Sequence, residues 1–309
     1  MSIRRDAFLP FDDQPQQGRF ALSIEYLGSA YHGWQTQQAG IASVQDHLEA
    51  ALSKIARVPI QVTCSGRTDT GVHASSQIVH FDSPVPRSEK AWVFGTNTAL
   101  PADIRVRWAK QVPADFHARY CAIARRYRYV IYNHKVKPAL LHDQMTWWPK
   151  PLDVDKMHQA AQALVGEHDF SSFRAAGCQS KTPWRKLHFI RVWQAGDLIV
   201  IDVQANAFLH HMIRNIAGVL LKIGVDEAPV TWTQTLLQIR DRTQSGMTAP
   251  PHGLHFVASL YAPEYDFPCE PLGPHYLTLL GDQGIDAPYP ALDPSWQRPQ
   301  TRAATSAAS

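Results

Sequence analysis

Apolar and polar residues alternate along residues 19–27 (RFALSIEYL), the two-residue period of a half-buried strand. The period then changes. Val44, Leu48, Leu52 and Ile55 recur at three- to four-residue spacing behind Ser43, which predicts a helix over 43–56 with Ser43 as its N-cap. Strand patterns follow at 60–66 and 76–82, a helical one at 88–100 and a strand at 103–112. The order β-α-β-β-α-β then repeats. Residues 122–134 (AIARRYRYVIYNH) predict a strand, and 153–166 a helix capped by Asp153. Residues 186–207 predict a hairpin turning at Gly196 and Asp197. A long amphipathic helix spans 208–224, with Leu209, Met212, Ile213, Ile216, Leu220 and Ile223 as its apolar stripe. Residues 231–241 suit a second helix, and 253–262 close the repeat as a strand.

This order, met twice, is the split βαβ signature. The predicted fold class is α+β: two ferredoxin-like halves with antiparallel sheets side by side, helices on one face and a cleft between the halves. The predicted divisions are an N-terminal tail (1–18), an N-terminal half (19–114), a C-terminal half (115–262) and a proline-rich tail (263–309). That tail holds eight of the 22 prolines and is expected to be mobile or loosely docked. Apolar patches in it, such as HYLTLL, suit packing on the body.

Composition narrows the class. A chain of 309 residues, 45% hydrophobic and 18% charged, has the profile of a globular protein. No apolar run approaches the ~20 residues needed to span a membrane. The N-terminal stretch lacks the apolar core of a secretory signal, so a cytoplasmic protein is expected. Cys64, Cys121, Cys178 and Cys269 form no C-x-x-C pair and read as independent reduced thiols. A net charge of +3 says little about partners, but its distribution says more. Residues 116–142 carry Arg119, Arg125, Arg126, Arg128, Lys135 and Lys137 with no acidic residue, interleaved with Tyr120, Tyr127, Tyr129 and Tyr132. Residues 171–191 carry Arg174, Lys181, Arg185, Lys186 and Arg191, again with no acid. Basic stretches with interleaved aromatics suit a phosphate backbone and unstacked bases; the alternative is a solvated strand face with tyrosines filling a core.

Three stretches carry candidate chemistry. In CSGRTDTGVHA, Gly66 and Gly71 bracket a tight loop that presents Arg67 and Asp69. A nearby cation favours the ionised carboxylate, which can act as base, ligand or nucleophile; an exposed Arg–Asp pair alone would be worth little. In ARRYRYVIYN, alternation places Arg125, Tyr127, Tyr129 and Ile131 on one face and Arg126, Arg128, Val130 and Tyr132 on the other. In NAFLHHMIRNIAG, Arg214 lies off the buried stripe and suits either a surface charge or a partner for Asp69. His210 and His211 are adjacent, so they are expected to project apart and to serve a metal poorly. No H-E-x-x-H spacing occurs among the 15 histidines, and no metal site is expected.

Taken together, CSGRTDTGVHA, FHARYCAIARRYRY, DFSSFRAAGCQSKTPWR and ANAFLHHMIRNIAG resemble the tRNA pseudouridine synthase A family, in family order, over residues 20–262. Thr70 stands where many members have Ala. The resemblance implies isomerisation of uridine to pseudouridine at positions 38, 39 and 40 of the tRNA anticodon stem-loop, with the target base flipped out. It implies no cofactor, and a homodimer whose subunits share one tRNA. It makes Asp69 the essential aspartate, leaving open attack at C1′, attack at C6 or removal of a sugar proton. Arg67 would help displace and replace the base, Tyr127 would stack on the flipped uracil and assist proton removal at C5, and Arg214 would pair with the carboxylate. Arg125, Arg126, Arg128 and Arg174 would hold tRNA phosphates. Rival readings are a non-catalytic RNA-binding protein, a glycosidase-like hydrolase and a pseudouridine synthase for another RNA.

Overall fold

A computed structural model describes residues 11–38, 40–268 and 270–278. Cys269 and the 279–309 part of the expected tail lie outside the described residues. Strand β1 (Gln16–Tyr26) leads to helix α1 (Val44–Ala56), the short β2 (Thr63–Cys64), β3 (His73–Arg87), helix α2 (Thr96–Ala99) and β4 (Ile104–Gln111). Then come β5 (Ala124–Asn133), β6 (Thr146–Trp148), α3 (Val154–Gln162), β7 (Gly166–Asp169), β8 (Trp184–Ala195) and β9 (Leu198–Ala205). Helices α4 (Met212–Gly224) and α5 (Trp232–Ile239), strand β10 (Leu254–Leu260) and helix α6 (His275–Thr278) complete the described elements.

The expected helices and strands are present, and the caps act as read. Ser43 Oγ accepts from Asp46 N and Asp153 Oδ1 from Lys156 N. Strand 60–66 is the main shortfall: only Thr63 and Cys64 pair. Helix α1 takes the missing bonds, because Ile60 N donates to Ser53 Oγ (2.9 Å) and Val62 N to Glu49 Oε1 (2.9 Å). Strands β6 and β7 were not expected; each is only three or four residues long.

The two sets of strands form one mixed, mostly antiparallel sheet in the order β4-β1-β3-β10-β5-β9-β8-β7, with β2 beside β3 and β6 beside β5. The sets meet where β3 and β10 run parallel, His255 opposite His73 and Phe256 opposite Ala74. The two imidazoles lie 4.8 Å apart in the interior. His73 Nδ1 accepts from Gly28 N, which leaves Nε2–H to donate to His252 O. Burial, and then His73, push His255 down to about 3, so it is neutral. The main core joins α1, α3 and α4 to one face of both strand sets through Leu22, Leu48, Phe81, Met157, Ile201, Ile216 and Phe256. Each fully buried side chain of this kind contributes ~1.5–3 kcal/mol.

The opposite face is covered by chain expected to be a loose tail. Residues 263–268 and 270–278 dock on it. The Glu270 carboxylate accepts from Ser23 Oγ (2.7 Å), Ser76 Oγ (3.2 Å) and Trp108 Nε1 (3.2 Å). Leu277 is buried against Val130, Met145 and Val200. His275 pairs with Glu25 at 2.9 Å. Among the described residues no helix is long and apolar enough to cross a membrane.

Candidate active site

The loop after β2 is held from all sides. Ser65 N donates to Ile78 O (2.8 Å), Ser65 Oγ to Gln77 Oε1 (2.5 Å), and Gln77 Nε2 bonds to Gly66 O. Arg125 Nη2 donates to Ser65 O (3.1 Å). Trp34 N donates to Thr68 O (3.0 Å), and the Thr68 hydroxyl bonds to that of Tyr26 (2.8 Å). A tight turn follows, with Val72 N donating to Asp69 O (3.1 Å) and Gly71 at φ 76°. That left-handed conformation suits glycine and strains other residues. Gly33 lets the neighbouring loop approach, since a Cβ there would stand 2.7 Å from Thr68 O. The result is a fixed Asp69 with its side chain 31% exposed.

The facing wall is the lead-in to α4. The expected helix over 208–224 starts only at Met212, because His211 takes a left-handed conformation (φ 58°, ψ 7°). For a non-glycine residue this costs ~1–2 kcal/mol. The turn brings both adjacent histidines to Asp69, correcting the expectation that they project apart. His210 Nε2 lies 3.5 Å from Asp69 Oδ1, and His211 Nε2 3.4 Å from Oδ2. Arg214 Nη1 stands 3.9 Å from Oδ2, and its Nε is held by Ala249 O at 2.8 Å. Burial lowers the His211 pKa, helped by Arg214 and His210 and opposed by Asp69, so the imidazole is neutral near pH 7. The three Asp69, His210 and His211 donor atoms lie within 4.8 Å of one another, a set that could hold a metal ion.

Tyr127 rises from β5 into the floor of the cleft. It is buried between Phe208 and Phe256, edge-on to both at centroid distances of 5.1 and 4.9 Å. Its hydroxyl faces Gly66 and has no hydrogen-bond partner among the described residues. Burial raises its pKa first, with Tyr26 and Asp69 adding, so it keeps its proton. Arg67 is exposed on the cleft wall and forms no ion pair with Asp69.

The other expected RNA-binding arginines lie elsewhere. Arg126 and Arg128 do not offer their charges to phosphates: they are 1% and 0% exposed, on the sheet face away from the cleft. Arg126 grips Asp202 through Nε (2.8 Å) and Nη2 (2.7 Å), and Arg128 Nε reaches the same carboxylate at 3.0 Å. Arg128 Nη1 also donates to Leu272 O and Gly273 O. Arg125 lines the cleft, but its guanidinium is committed to the carbonyls of Ser65, Arg119, Ala122 and Asn206. Half-buried Arg174 ties Cys178 O and Ser180 O together and shapes the rim.

Sequence reasoning missed Arg119 and Tyr120 as cleft residues, although both stand in the basic aromatic stretch. Tyr120 is 56% exposed, stacked on His117 at 4.2 Å with the Arg119 guanidinium 5.9 Å from its ring centre. The cleft encloses about 1070 Å³, near the upper end of the ~300–1,000 Å³ usual for ligand sites. Among the described residues Asp69 is its one acidic lining group, against Arg67, Arg119, Arg125, Arg185 and Arg214. Such a wall suits an anionic substrate, and a lone carboxylate lacks the second acid that glycoside hydrolysis normally needs.

Known proteins point the same way. A family model described as tRNA pseudouridine synthase matches residues 22–121 and 160–262. The tRNA pseudouridine synthase A of Pseudomonas aeruginosa is 56% identical over 264 residues, 85% of this chain and 93% of that protein. Its namesake in Coxiella burnetii is 55% identical over 259 residues, covering 84% and 99%. One from Escherichia coli is 52% identical over 264 residues, covering 85% and 97%.

Proposed function

The chain belongs to the tRNA pseudouridine synthase family and is a tRNA uridine-to-pseudouridine isomerase; from that premise we propose that it acts at positions 38, 39 and 40 of the anticodon stem-loop, with Asp69 as nucleophile and the target base flipped out. The observation that carries this reading is Asp69 itself. Its carboxylate stands on a rigid loop, faces two imidazoles and a guanidinium at 3.4–3.9 Å, and is hydrogen-bonded by none of them. It is therefore free to meet the sugar–base junction, where a positioned carboxylate can work.

The reaction breaks C1′–N1 and forms C1′–C5. One proton leaves C5 and one is gained at N1, so no outside reactant is consumed. A uridine within a stem is out of reach until it leaves the stack, at a cost of a few kcal/mol. Arg67, on the cleft wall, takes the space the base vacates. Tyr127 and Phe208 form an apolar floor for the uracil, and the protonated Tyr127 hydroxyl donates a hydrogen bond rather than removing the C5 proton. Arg214 holds the carboxylate's charge and aim. Arg119, with Arg125 and the buried Arg185 behind it, gives the tRNA backbone a positive wall.

We read the two strand sets as two split βαβ halves, 19–114 and 115–262. Carried over with the family resemblance are a homodimer sharing one tRNA and a cytoplasmic setting. The test is to incubate the protein with a uridine-containing anticodon stem-loop and map pseudouridine by carbodiimide labelling. Product at 38–40 with unchanged RNA mass is expected, and none with Asp69→Asn. Product formed by Asp69→Asn, base release, or labelling only outside 38–40 would refute the assignment. Light scattering on the purified protein tests the dimer; a fully active monomer removes it.

A further inference from the structure

Asp69 and the two imidazoles beside it match a second kind of chemistry, one the isomerisation does not use. Two tetrahedral donors about 2.0–2.1 Å from a zinc ion stand roughly 3.3–3.4 Å apart. His210 Nε2 and His211 Nε2 lie 3.5 and 3.4 Å from separate oxygens of Asp69, and the set fits within 4.8 Å. The Asp69 loop is pinned by the bonds at Ser65, Gly66 and Thr68, and the histidines are turned toward it by the left-handed residue at His211. The His210, His211 and Asp69 side chains are 42%, 28% and 31% exposed, so an ion and its fourth, aqueous ligand can enter from the cleft.

We propose that Asp69, His210 and His211 form a three-donor site for a divalent transition metal of the zinc class, and that a metal held there shuts the uridine out. The second half rests on the assignment of Asp69 to the reaction; the first does not. Imidazole and carboxylate donors favour zinc-class ions over magnesium, which prefers oxygen and keeps its waters. The site is a weak one. Neither imidazole has a partner for its Nδ1 among the described residues, whereas strong metal sites anchor that atom. Arg214, 3.9 Å from Asp69, also repels a cation. Such a site fills when free metal rises and empties when it falls, which suits inhibition rather than a resident cofactor.

The experiment has two arms. In the first, zinc chloride is titrated into RNA-free protein in competition with a chromophoric chelator. One zinc per chain is expected, reversed by EDTA and unaffected by excess magnesium. His210→Ala and His211→Ala should each weaken binding at least about tenfold, while Cys178→Ser should bind as the wild type does. His210→Gln and His211→Gln repeat the measurement should an alanine variant melt early. In the second arm, initial rates of pseudouridine formation should fall in step with zinc occupancy and recover with EDTA or excess tRNA. No saturable binding, binding unchanged in all the histidine variants, or binding lost in Cys178→Ser would overturn the site. Zinc bound through these histidines with an undiminished rate would confirm the metal site and sink the role given to Asp69.

Discussion

Asp202 and Asp69 both face arginines, and they are built for opposite ends. Asp202 is 2% exposed and takes three guanidinium bonds of 2.7–3.0 Å from Arg126 and Arg128. Its lone pairs are spent, and the triad fills a sheet face sealed by residues 270–278. Asp69 has three cationic or imidazole neighbours at 3.4–3.9 Å and makes no hydrogen bond with them. The difference is one of commitment. A buried ion pair must be fully bonded to offset its desolvation, whereas a reacting carboxylate must be aimed by charge yet left unbonded.

The largest expected effect is at the uncommitted aspartate. Asp69→Asn should lower kcat at least about 10³-fold with a melting temperature close to wild type. Asp202→Ala should do the reverse, costing about 3–5 kcal/mol in urea denaturation by removing the carboxylate that both buried guanidinia bond, while the fraction still folded remains active. Equal activity losses per folded molecule would erase the contrast. Arg214→Gln sharpens it within the cleft. We expect kcat to fall on the order of 10²-fold, with only ~1 kcal/mol of stability lost with the Ala249 bond.

Protons give two smaller tests. His255 is held neutral in the fold by burial, while the unfolded chain takes up a proton below pH about 6.5. Its contribution is therefore present above that pH and is lost as pH falls toward 3. Stability should drop by about 2 kcal/mol between pH 7 and 5, and His255→Gln should flatten the decline. The smallest effect belongs to the clasp over the Asp202 face. The Glu25 bond raises His275, so that part is present below pH about 6.5 and lost as pH rises through the raised value. Glu25 is lowered by its bond to His275, against burial, so its part is lost as pH falls through a value below 4.5. The clasp is tightest between those limits. Being half-exposed it is worth less than ~1 kcal/mol. Hydrogen exchange of residues 270–278, corrected for intrinsic rates, should quicken modestly from pH 6 to 8.

Much of the site was legible along the chain because its signals are local. The glycines around Asp69 announce a stiff loop, and the bonds from Ser65 to Val72 show one. Alternation along β5 puts Tyr127 on the strand face opposite Arg126 and Arg128, and that face turns to the cleft. The same alternation placed Arg126 and Arg128 on the opposite side, correctly, but could not say what covers that side. The answer is Asp202, 76 residues beyond Arg126, and the carbonyls of Leu272 and Gly273, 144 and 145 residues beyond Arg128. With neither in view, two buried arginines look like phosphate ligands.

The sequence by itself determined the order of helices and strands, their caps, and the loop that carries Asp69. Period, capping and turn chemistry act between residues a few positions apart. Tertiary structure alone decided the rest: that the two strand sets fuse through the buried His73–His255 contact, that Asp202 spends the charges of Arg126 and Arg128, and that His210 and His211 converge on Asp69. Each depends on a partner far along the chain or, for the histidines, on a backbone conformation that packing imposes against its local cost. Spacing carries no record of either.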